Sequence, residues 1–290
     1  MLRPDLLVQV VISGLLIGLV FSLVAIGLTL IWGVMDIVNF AHGEFLMLAM
    51  YAAFWLYALF GIDPIPSLPI NIFVLSLVGI VTYLLLIRRI LRAPMVAQIF
   101  ATFGLTIFLR GLAQFLWTPN YRTVQHPLVE GSLAFHGVAL GLPQLAAGAG
   151  SLIATGALMW FINRTETGMA LLAVAEDRTA AALMGIDAER IYILAWAISA
   201  GCVAIAGGLL ALFFSIYPEV GAVFGLIAFV TVALGGFGSI SGAFVAGILI
   251  GLVLTISGFL IDPAFKYAIV YAFYLVVVLI RPQGLFGARA

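Results

Sequence analysis

Three polar residues lie within six positions of an otherwise apolar stretch, VNFAHGEFLML (38–48). Asn39, His42 and Glu44 supply an amide, an imidazole and a carboxylate, and the last two are groups that transfer protons or bind metals. The H-x-E spacing of His42 and Glu44 could open a zinc-deaminase site, but such a site also needs a P-C-x-x-C sequence. The chain has a single cysteine, Cys202, and no H-E-x-x-H sequence. We therefore expect no metal site, no cofactor and no enzymatic activity.

Two interpretations of this polar cluster are open and compatible. Asn39 is a good N-cap residue, and Glu44 would lie near the positive end of the helix dipole. In that case the residues only begin a helix that runs to about residue 60. Alternatively, they line or gate a pathway, because polar groups at membrane depth are costly and tend to be functional.

The elements that position the cluster must lie in a membrane. Of the 290 residues, 65% are hydrophobic and 8% are charged, whereas roughly 25% of residues are charged in typical soluble domains. Twelve basic and twelve acidic residues give no net charge, so no nucleic-acid partner is indicated. The composition predicts an all-α, polytopic transmembrane helical bundle, a single domain over 1–290 in contact with membrane lipid.

Hydrophobic segments with few or no charges follow one another along the chain. They are 6–32, 45–60, 64–87, 93–118, 143–163, 191–218, 220–261 and 267–280. Because about 20 residues span the hydrocarbon core, the segment 220–261 is too long for one crossing. The sequence LGGFGSISG (234–242) divides it, which gives eight or nine hydrophobic segments. The first piece, 220–234, is short and either crosses the membrane or re-enters it.

Each half of the chain contains one hydrophobic stretch with a polar or glycine-rich interruption, at 33–44 and at 235–242. In transporters, paired interruptions of this kind point to the substrate route. The candidate residues for a pathway or gate are therefore Asn39, His42, Glu44, Gly235, Gly236, Gly238 and Ser239.

Three glycine pairs have the small-xxx-small spacing that allows two helices to approach closely in lipid. They are Gly14/Gly18, Gly221/Gly225 and Gly247/Gly251. This spacing indicates packing inside the protein, with an oligomer interface as the alternative.

Arg110 lies inside the segment 93–118, and Gln114 follows one helical turn later. A charged residue at this depth either extends its side chain to the outer interface or makes a polar contact within the bundle. The sequence leaves both interpretations open.

The distribution of arginines predicts the orientation. If 88–93 and 164–190 lie on the same side, as alternating crossings require, six arginines lie there and two, Arg3 and Arg122, on the other side. The six are Arg88, Arg89, Arg92, Arg164, Arg178 and Arg190. Cytoplasmic loops carry the excess of basic residues, so we expect an external N-terminus.

The position of the C-terminus depends on the segment 220–234. If this segment crosses the membrane, Arg281 and Arg289 become cytoplasmic, whereas a re-entrant segment would place them outside. The two arginines favour the crossing and a cytoplasmic C-terminus.

A short cytoplasmic helix is predicted over 178–184, capped by Asp177 and ended by Gly185. It would expose Leu183 and Met184 beside charged residues. The helix is either an ordinary connection packed against the bundle or a plug for the socket of a partner. The candidate coupling residues are Glu176, Asp177, Arg178, Ala181, Leu183, Met184 and Gly185.

Nucleotide binding by this chain is not indicated. A P-loop needs G-x-x-x-x-G-K-[ST], and the single lysine, Lys266, follows the sequence DPAF. If ATP drives transport, the ATPase must be another chain.

The chain closely resembles the permease subunits of bacterial ATP-binding-cassette (ABC) importers for branched-chain amino acids, a family that also includes urea and amide importers. Five stretches carry the resemblance, in order along essentially the whole chain. They are GLTLIWGVMDIVNFAHGEFLMLAMYAA (27–53), ATFGLTIFLRG (101–111), AVAEDRTAAALMGID (173–187), ALGGFGSISGAFVAG (233–247) and LIRPQGLFG (279–287). Trp32 departs from the pattern, since a smaller aromatic residue is expected there.

The resemblance implies a single permease domain that passes branched-chain or related amino acids inward across the bacterial inner membrane. It implies a second homologous permease subunit, two ATP-binding subunits and a periplasmic solute-binding protein as partners, with the 173–187 loop docking on the ATPase. NFAHGEF resembles permeases that pair with a second, different permease. The alternative function is an ATP-independent channel or secondary carrier, which would leave the helix at 177–185 unexplained.

Overall fold

The computed structural model describes residues 4–135 and 137–287, so Arg3 and Arg289 lie outside the described residues. Helices dominate, and the described part contains one two-stranded antiparallel hairpin. In chain order the elements are α1 (Pro4–Met35), α2 (His42–Phe60), α3 (Leu68–Thr82), a π-helical turn (Tyr83–Ile87), α4 (Arg88–Ile90), α5 (Met95–Trp117), β1 (Ser132–Phe135), β2 (Val138–Gly141), α6 (Leu142–Arg164), α7 (Glu166–Glu176), α8 (Arg178–Leu183), α9 (Ala188–Leu210), α10 (Val220–Gly235), α11 (Ile240–Leu260), a 3-10 turn (Pro263–Phe265) and α12 (Lys266–Ile280).

Eight helical segments among the described residues are long and apolar enough to cross a membrane. They are Asp5–Met35, His42–Phe60, Leu68–Ile90, Met95–Trp117, Leu142–Arg164, Ala188–Leu210, Ile240–Leu260 and Pro263–Ile280. The apolar helix α10 is shorter, with 16 residues. These segments confirm the predicted all-α, polytopic bundle. The hairpin β1–β2 lies between α5 and α6, where no strand was predicted from the sequence.

Helix α1 lies at the centre of the bundle, because it packs against α6, α9, α10 and α11. Every residue from 20 to 31 is buried, as expected for a helix that is apolar on all sides. A Cβ atom added to Gly251 of α11 would lie 2.4 Å from the carbonyl oxygen of Gly14 and 2.4 Å from Cα of Gly18. The glycine pairs of α1 and α11 therefore pack against each other inside the protein, as the first interpretation predicted.

Helix α10 runs parallel to α1. Near its start, the ring of Phe224 lies 6.1 Å from the ring of Phe21. Just beyond its end, a Cβ atom added to Gly33 would lie 3.4 Å from Cα of Gly238. Its 16 residues extend about 24 Å at 1.5 Å per residue, less than the hydrocarbon thickness of about 30 Å. Helix α10 thus begins inside the bundle and ends beside the C-terminal end of α1.

The C-terminal segment of the protein lies at this same end. The backbone N–H groups of Leu285 and Phe286 donate to the carbonyl oxygens of Leu234 and Gly235, at N···O distances of 2.8 and 3.1 Å. A re-entrant segment at 220–234 would return the chain to the end of the bundle where α1 starts. The chain after α10 lies at the opposite end, so this arrangement favours a crossing.

Candidate functional site

The connection between α1 and α2 is not helical, yet most of it is buried. Four of the six residues from 36 to 41 are buried, and Asp36 adopts the left-handed region with φ 55°. Buried irregular backbone at membrane depth is tolerated where protein or a water-filled cavity surrounds it. The polar cluster therefore lies inside the bundle, at a break between two spanning helices.

The prediction that Asn39 caps α2 is wrong. The helix begins at His42, and the residue at its N-cap position, Ala41, makes no side-chain capping bond. Asn39 lies two residues earlier, where its side-chain oxygen accepts a hydrogen bond from the N–H of Ala41 at 3.1 Å. Its amide nitrogen is buried and has no partner among the described residues. Asn39 thus stabilises the turn that leads into the helix.

His42 connects the start of α2 to the middle of α1. Its Nε2 atom lies 2.9 Å from the carbonyl oxygen of Val24. Because a carbonyl only accepts, this nitrogen carries the proton and donates it to the bond. The described residues contain no group of three His, Cys, Asp or Glu side chains that could hold a metal ion. His42 therefore joins α2 to α1 by a hydrogen bond.

Glu44 forms an ion pair with Arg110 of α5. Nη2 of Arg110 donates to Oε1 of Glu44 at 2.5 Å, and the exposed fractions of the side chains are 30% and 1% respectively. Gln114, one turn later, donates from Nε2 to Oε1 of Glu219 at 2.7 Å. Arg110 therefore makes a polar contact within the bundle. From the sequence, Arg110 and Glu44 were interpreted separately, and their pairing was not predicted.

A cavity of about 200 Å³ opens beside this ion pair. Its lining residues are Phe40, Glu44, Phe103, Thr106, Arg110, Gly221, Ala222, Gly225, Leu226 and Phe229. The ring of Phe40 lies 4.9 Å from that of Phe229 and 6.4 Å from that of Phe103. The cavity thus combines an aromatic wall with one charged pair, which is the usual composition of a small-molecule site.

The N-terminal ends of α2 and α10 meet at this cavity. A Cβ atom added to Gly43 would lie 2.0 Å from the carbonyl oxygen of Gly221 and 2.7 Å from Cα of Gly225. A Cβ atom on Gly221 would lie 2.6 Å from Oε2 of Glu44. Glycine is needed here because the two backbones touch. Since helix N-termini carry partial positive charge, both ends favour a carboxylate at position 44.

The second group of candidate residues lies at the other end of α10. Gly236 and Gly238 have φ values of 102° and 79°, and the side-chain oxygen of Ser239 accepts from the N–H of Gly242 to cap α11 at 3.1 Å. From Gly221 to Gly235 the helix rises about 21 Å. The structure therefore does not bring these residues together with Glu44. The ring of Phe237, between the two glycines, lies 4.5 Å from that of Trp32, with the ring planes inclined by 35°.

The short helix predicted in the connecting loop is present as α8. Oδ1 of Asp177 accepts from the N–H groups of Thr179 and Ala180 at 2.7 and 3.0 Å, and Gly185 follows the helix with φ 84°. Ala181 faces the bundle, whereas Leu183 and Met184 are 85% and 83% exposed. Glu176, at the end of α7, is exposed as well. The helix thus presents two large apolar side chains away from the rest of the chain.

A positively charged cavity of about 730 Å³ borders α8. Four arginines line it, Arg88, Arg89, Arg92 and Arg178. Nη2 of Arg88 contacts Oε1 of Glu189 at 2.8 Å. Nη1 of Arg178 donates to the hydroxyl of Tyr192 at 3.3 Å, and this hydrogen bond raises the pKa of Arg178 above its usual value. The end of the bundle that carries α8 is therefore strongly basic.

The eight apolar helices long enough to cross a membrane among the described residues are those of a multi-pass membrane protein. Residues 10–279 match the family described as branched-chain amino acid transport system / permease component. Because the match extends over most of the chain, the protein belongs to this family, and the resemblance found in the sequence is confirmed.

Three relatives match over almost their whole length. The high-affinity branched-chain amino acid transport system permease protein BraD of Pseudomonas aeruginosa is 29% identical, over 96% of this chain and 95% of BraD. The protein of the same description named LivH in Escherichia coli is 30% identical, with the same coverage of each chain. The probable permease LivH of Methanocaldococcus jannaschii is 30% identical over 99% of this chain and 95% of its own. No solved structure matches the chain.

Proposed function

We propose that this chain is a membrane-spanning permease subunit of an ABC importer that moves a branched-chain or related amino acid inward across a bacterial inner membrane. All of 1–290 acts as one permease domain, and no step of bond chemistry is assigned to it. The partners are a second homologous permease, two ATP-binding subunits and a periplasmic solute-binding protein. The names of the relatives support the class of solute.

Helix α8 is the observation that carries the coupling to an ATPase. It is capped at both ends, and its contacts with the bundle are few, so it projects as a separate short element. Leu183 and Met184, both more than 80% exposed, suit a groove on a partner better than they suit water. The arginine-lined cavity beside α8 adds a positive surface for acidic groups of the same partner.

The candidate pathway residues are proposed to act at two levels of one route. Asn39, His42 and Glu44 form the level at the start of α10, and the turn after α10, with Gly235, Gly236, Gly238 and Ser239, forms the level at its end. The supporting observation is that α10 connects the two levels directly and begins and ends in irregular backbone, as substrate-lining helices of transporters often do.

ATP should drive amino-acid uptake by the reconstituted complex. We expect labelled leucine to accumulate in proteoliposomes when the solute-binding protein is on one face and ATP is on the face of the ATP-binding subunits. A matched preparation with a non-hydrolysable ATP analogue should show none, because the uptake is proposed to be driven by hydrolysis on the separate ATP-binding subunits. Uptake of equal rate without hydrolysis would favour an ATP-independent channel or carrier.

The proposed orientation predicts which loops a membrane-impermeant thiol reagent reaches. In a Cys202→Ala background, cysteine at Gln125 should be labelled from outside, and cysteines at Thr179 and Gln283 only after the membrane is opened. All three positions are exposed, so accessibility reports the side of the membrane. Labelling of the cysteine at Thr179 from outside would contradict the proposed orientation. It would also contradict the cytoplasmic position of the docking loop. Labelling of the cysteine at Gln283 alone from outside would contradict the crossing of α10.

A further inference from the structure

Arg110 is held in the bundle by its ion pair. It lies seven residues before the end of α5 (Met95–Trp117), which is about 10 Å along the helix axis. An arginine at this position could extend towards the outer interface, but its Nη2 atom instead donates to Glu44 of α2. Charged residues in spanning helices that turn towards the bundle or a cavity commonly mark a solute route.

The ion pair leaves polar atoms unsatisfied. Oε2 of Glu44 and Nε of Arg110 are both buried and have no hydrogen-bond partner among the described residues. A buried pair is weak evidence for a purely stabilising role, because desolvation of the charges offsets their attraction. The exposed fraction is 30% for the side chain of Arg110 and 1% for that of Glu44. The guanidinium is therefore the accessible member of the pair, and Glu44 is the member that fixes it.

The cavity in front of the guanidinium has two chemically different parts. The rings of Phe40, Phe103 and Phe229 form an apolar wall, and Arg110 supplies N–H donors in a planar fork. Such a fork matches the two oxygens of a carboxylate, and an aromatic wall accommodates a hydrocarbon side chain. An apolar α-amino acid carries a carboxylate and a hydrocarbon side chain on the same carbon atom, Cα.

We propose that Arg110 binds the carboxylate of the transported amino acid in this cavity, with the aliphatic side chain against Phe40, Phe103 and Phe229. Glu44 is a positioning residue that holds the guanidinium. This inference rests on the proposed function, because it takes the amino acid as the solute. It adds to that function a binding residue in the permease itself, separate from any selection by a solute-binding protein.

The test measures ligand binding to the permease–ATPase complex in lipid nanodiscs without the solute-binding protein. Saturation-transfer difference NMR with leucine, leucinamide and 4-methylpentanoate as probes separates the carboxylate from the amine. We expect signals from leucine and 4-methylpentanoate that compete with each other, and no displacement by leucinamide. Arg110→Gln should weaken both carboxylate probes roughly tenfold or more, as loss of a charged hydrogen bond implies. Glu44→Gln should weaken them less.

The matched control is Arg164→Gln, which removes an exposed arginine outside the cavity and should leave binding unchanged. Arg110→Lys keeps the charge but not the fork, so it should remain weaker than the native residue. Unchanged leucine binding by Arg110→Gln in a complex that transports leucine would overturn the subsite and leave the proposed function standing. Equal binding of leucine and leucinamide would also overturn it. If the native complex imports no amino acid with ATP, the proposed function itself fails.

Discussion

Replacing Leu183 by aspartate is expected to release the ATP-binding subunits from the permease. Leu183 is 85% exposed and Met184 is 83% exposed in the isolated chain, and the burial of two such side chains is worth roughly 3–6 kcal/mol before association costs. A carboxylate in an apolar socket loses the contribution of Leu183 and is itself costly to desolvate. The retained fraction of ATP-binding subunits should fall at least tenfold, and stimulated ATP hydrolysis should disappear.

Leu128→Asp is the matched control for this change. Leu128 has a similar exposed fraction, 76%. Its N–H donates to Asp63, which lies in the loop between α2 and α3. Leu128 is therefore at the end of the bundle opposite α8. Both variants should insert into the membrane normally, because neither side chain is part of the core. Subunit ratios after gel filtration and ATP hydrolysis with loaded solute-binding protein provide the measurement. Full retention and normal stimulated hydrolysis in Leu183→Asp would place the docking contact elsewhere.

Replacing Gly251 by alanine is expected to destabilise the bundle strongly. The new Cβ atom would lie 2.4 Å from the carbonyl oxygen of Gly14 and 2.4 Å from Cα of Gly18, both of which are backbone atoms that cannot rotate away. An added methyl group in a packed core typically costs about 1–3 kcal/mol, and a clash with backbone belongs at the upper end. The thermal unfolding midpoint of the purified protein should fall by several degrees.

Gly111→Ala on α5 serves as the opposite control. An added Cβ atom there meets nothing within 4 Å, and alanine is the better helix former by about 1 kcal/mol. Its unfolding midpoint should stay level or rise. A fall of equal size in both variants would show that the glycine contact between α1 and α11 contributes nothing specific to stability.

The sequence predicted the elements that depend on local chemistry. Long apolar segments, the caps at Asp177 and Gly185, and the exposure of Leu183 and Met184 all follow from composition and short-range pattern. The glycine spacing in α1 and α11 also predicted internal packing, because close backbone approach requires small residues at fixed intervals.

The features that the sequence did not predict depend on tertiary contact. Glu44 and Arg110 are 66 positions apart, and nothing in either local pattern selects the other as its partner. One charged residue in each of two spanning helices, α2 and α5, was the available signal. Asn39 has the right residue type for an N-cap, but the helix begins later because residues 36–41 pack inside the bundle as irregular chain. The direction of α10 likewise required its contacts with α1.

The backbone contact between α1 and α11 has a mechanical consequence for the transport cycle. Where Gly14 and Gly18 meet Gly251, the two backbones touch without an intervening side chain, so no rotamer change at this contact could let the helices slide past each other in small steps. They are expected to move as one rigid body, while shear occurs where packing is sparse. Helix α5 has few contacts with the bundle, mainly with α2 and α4. A swing of α5 relative to α1 and α11 would carry Arg110 towards or away from Glu44 and so change the width of the proposed solute route.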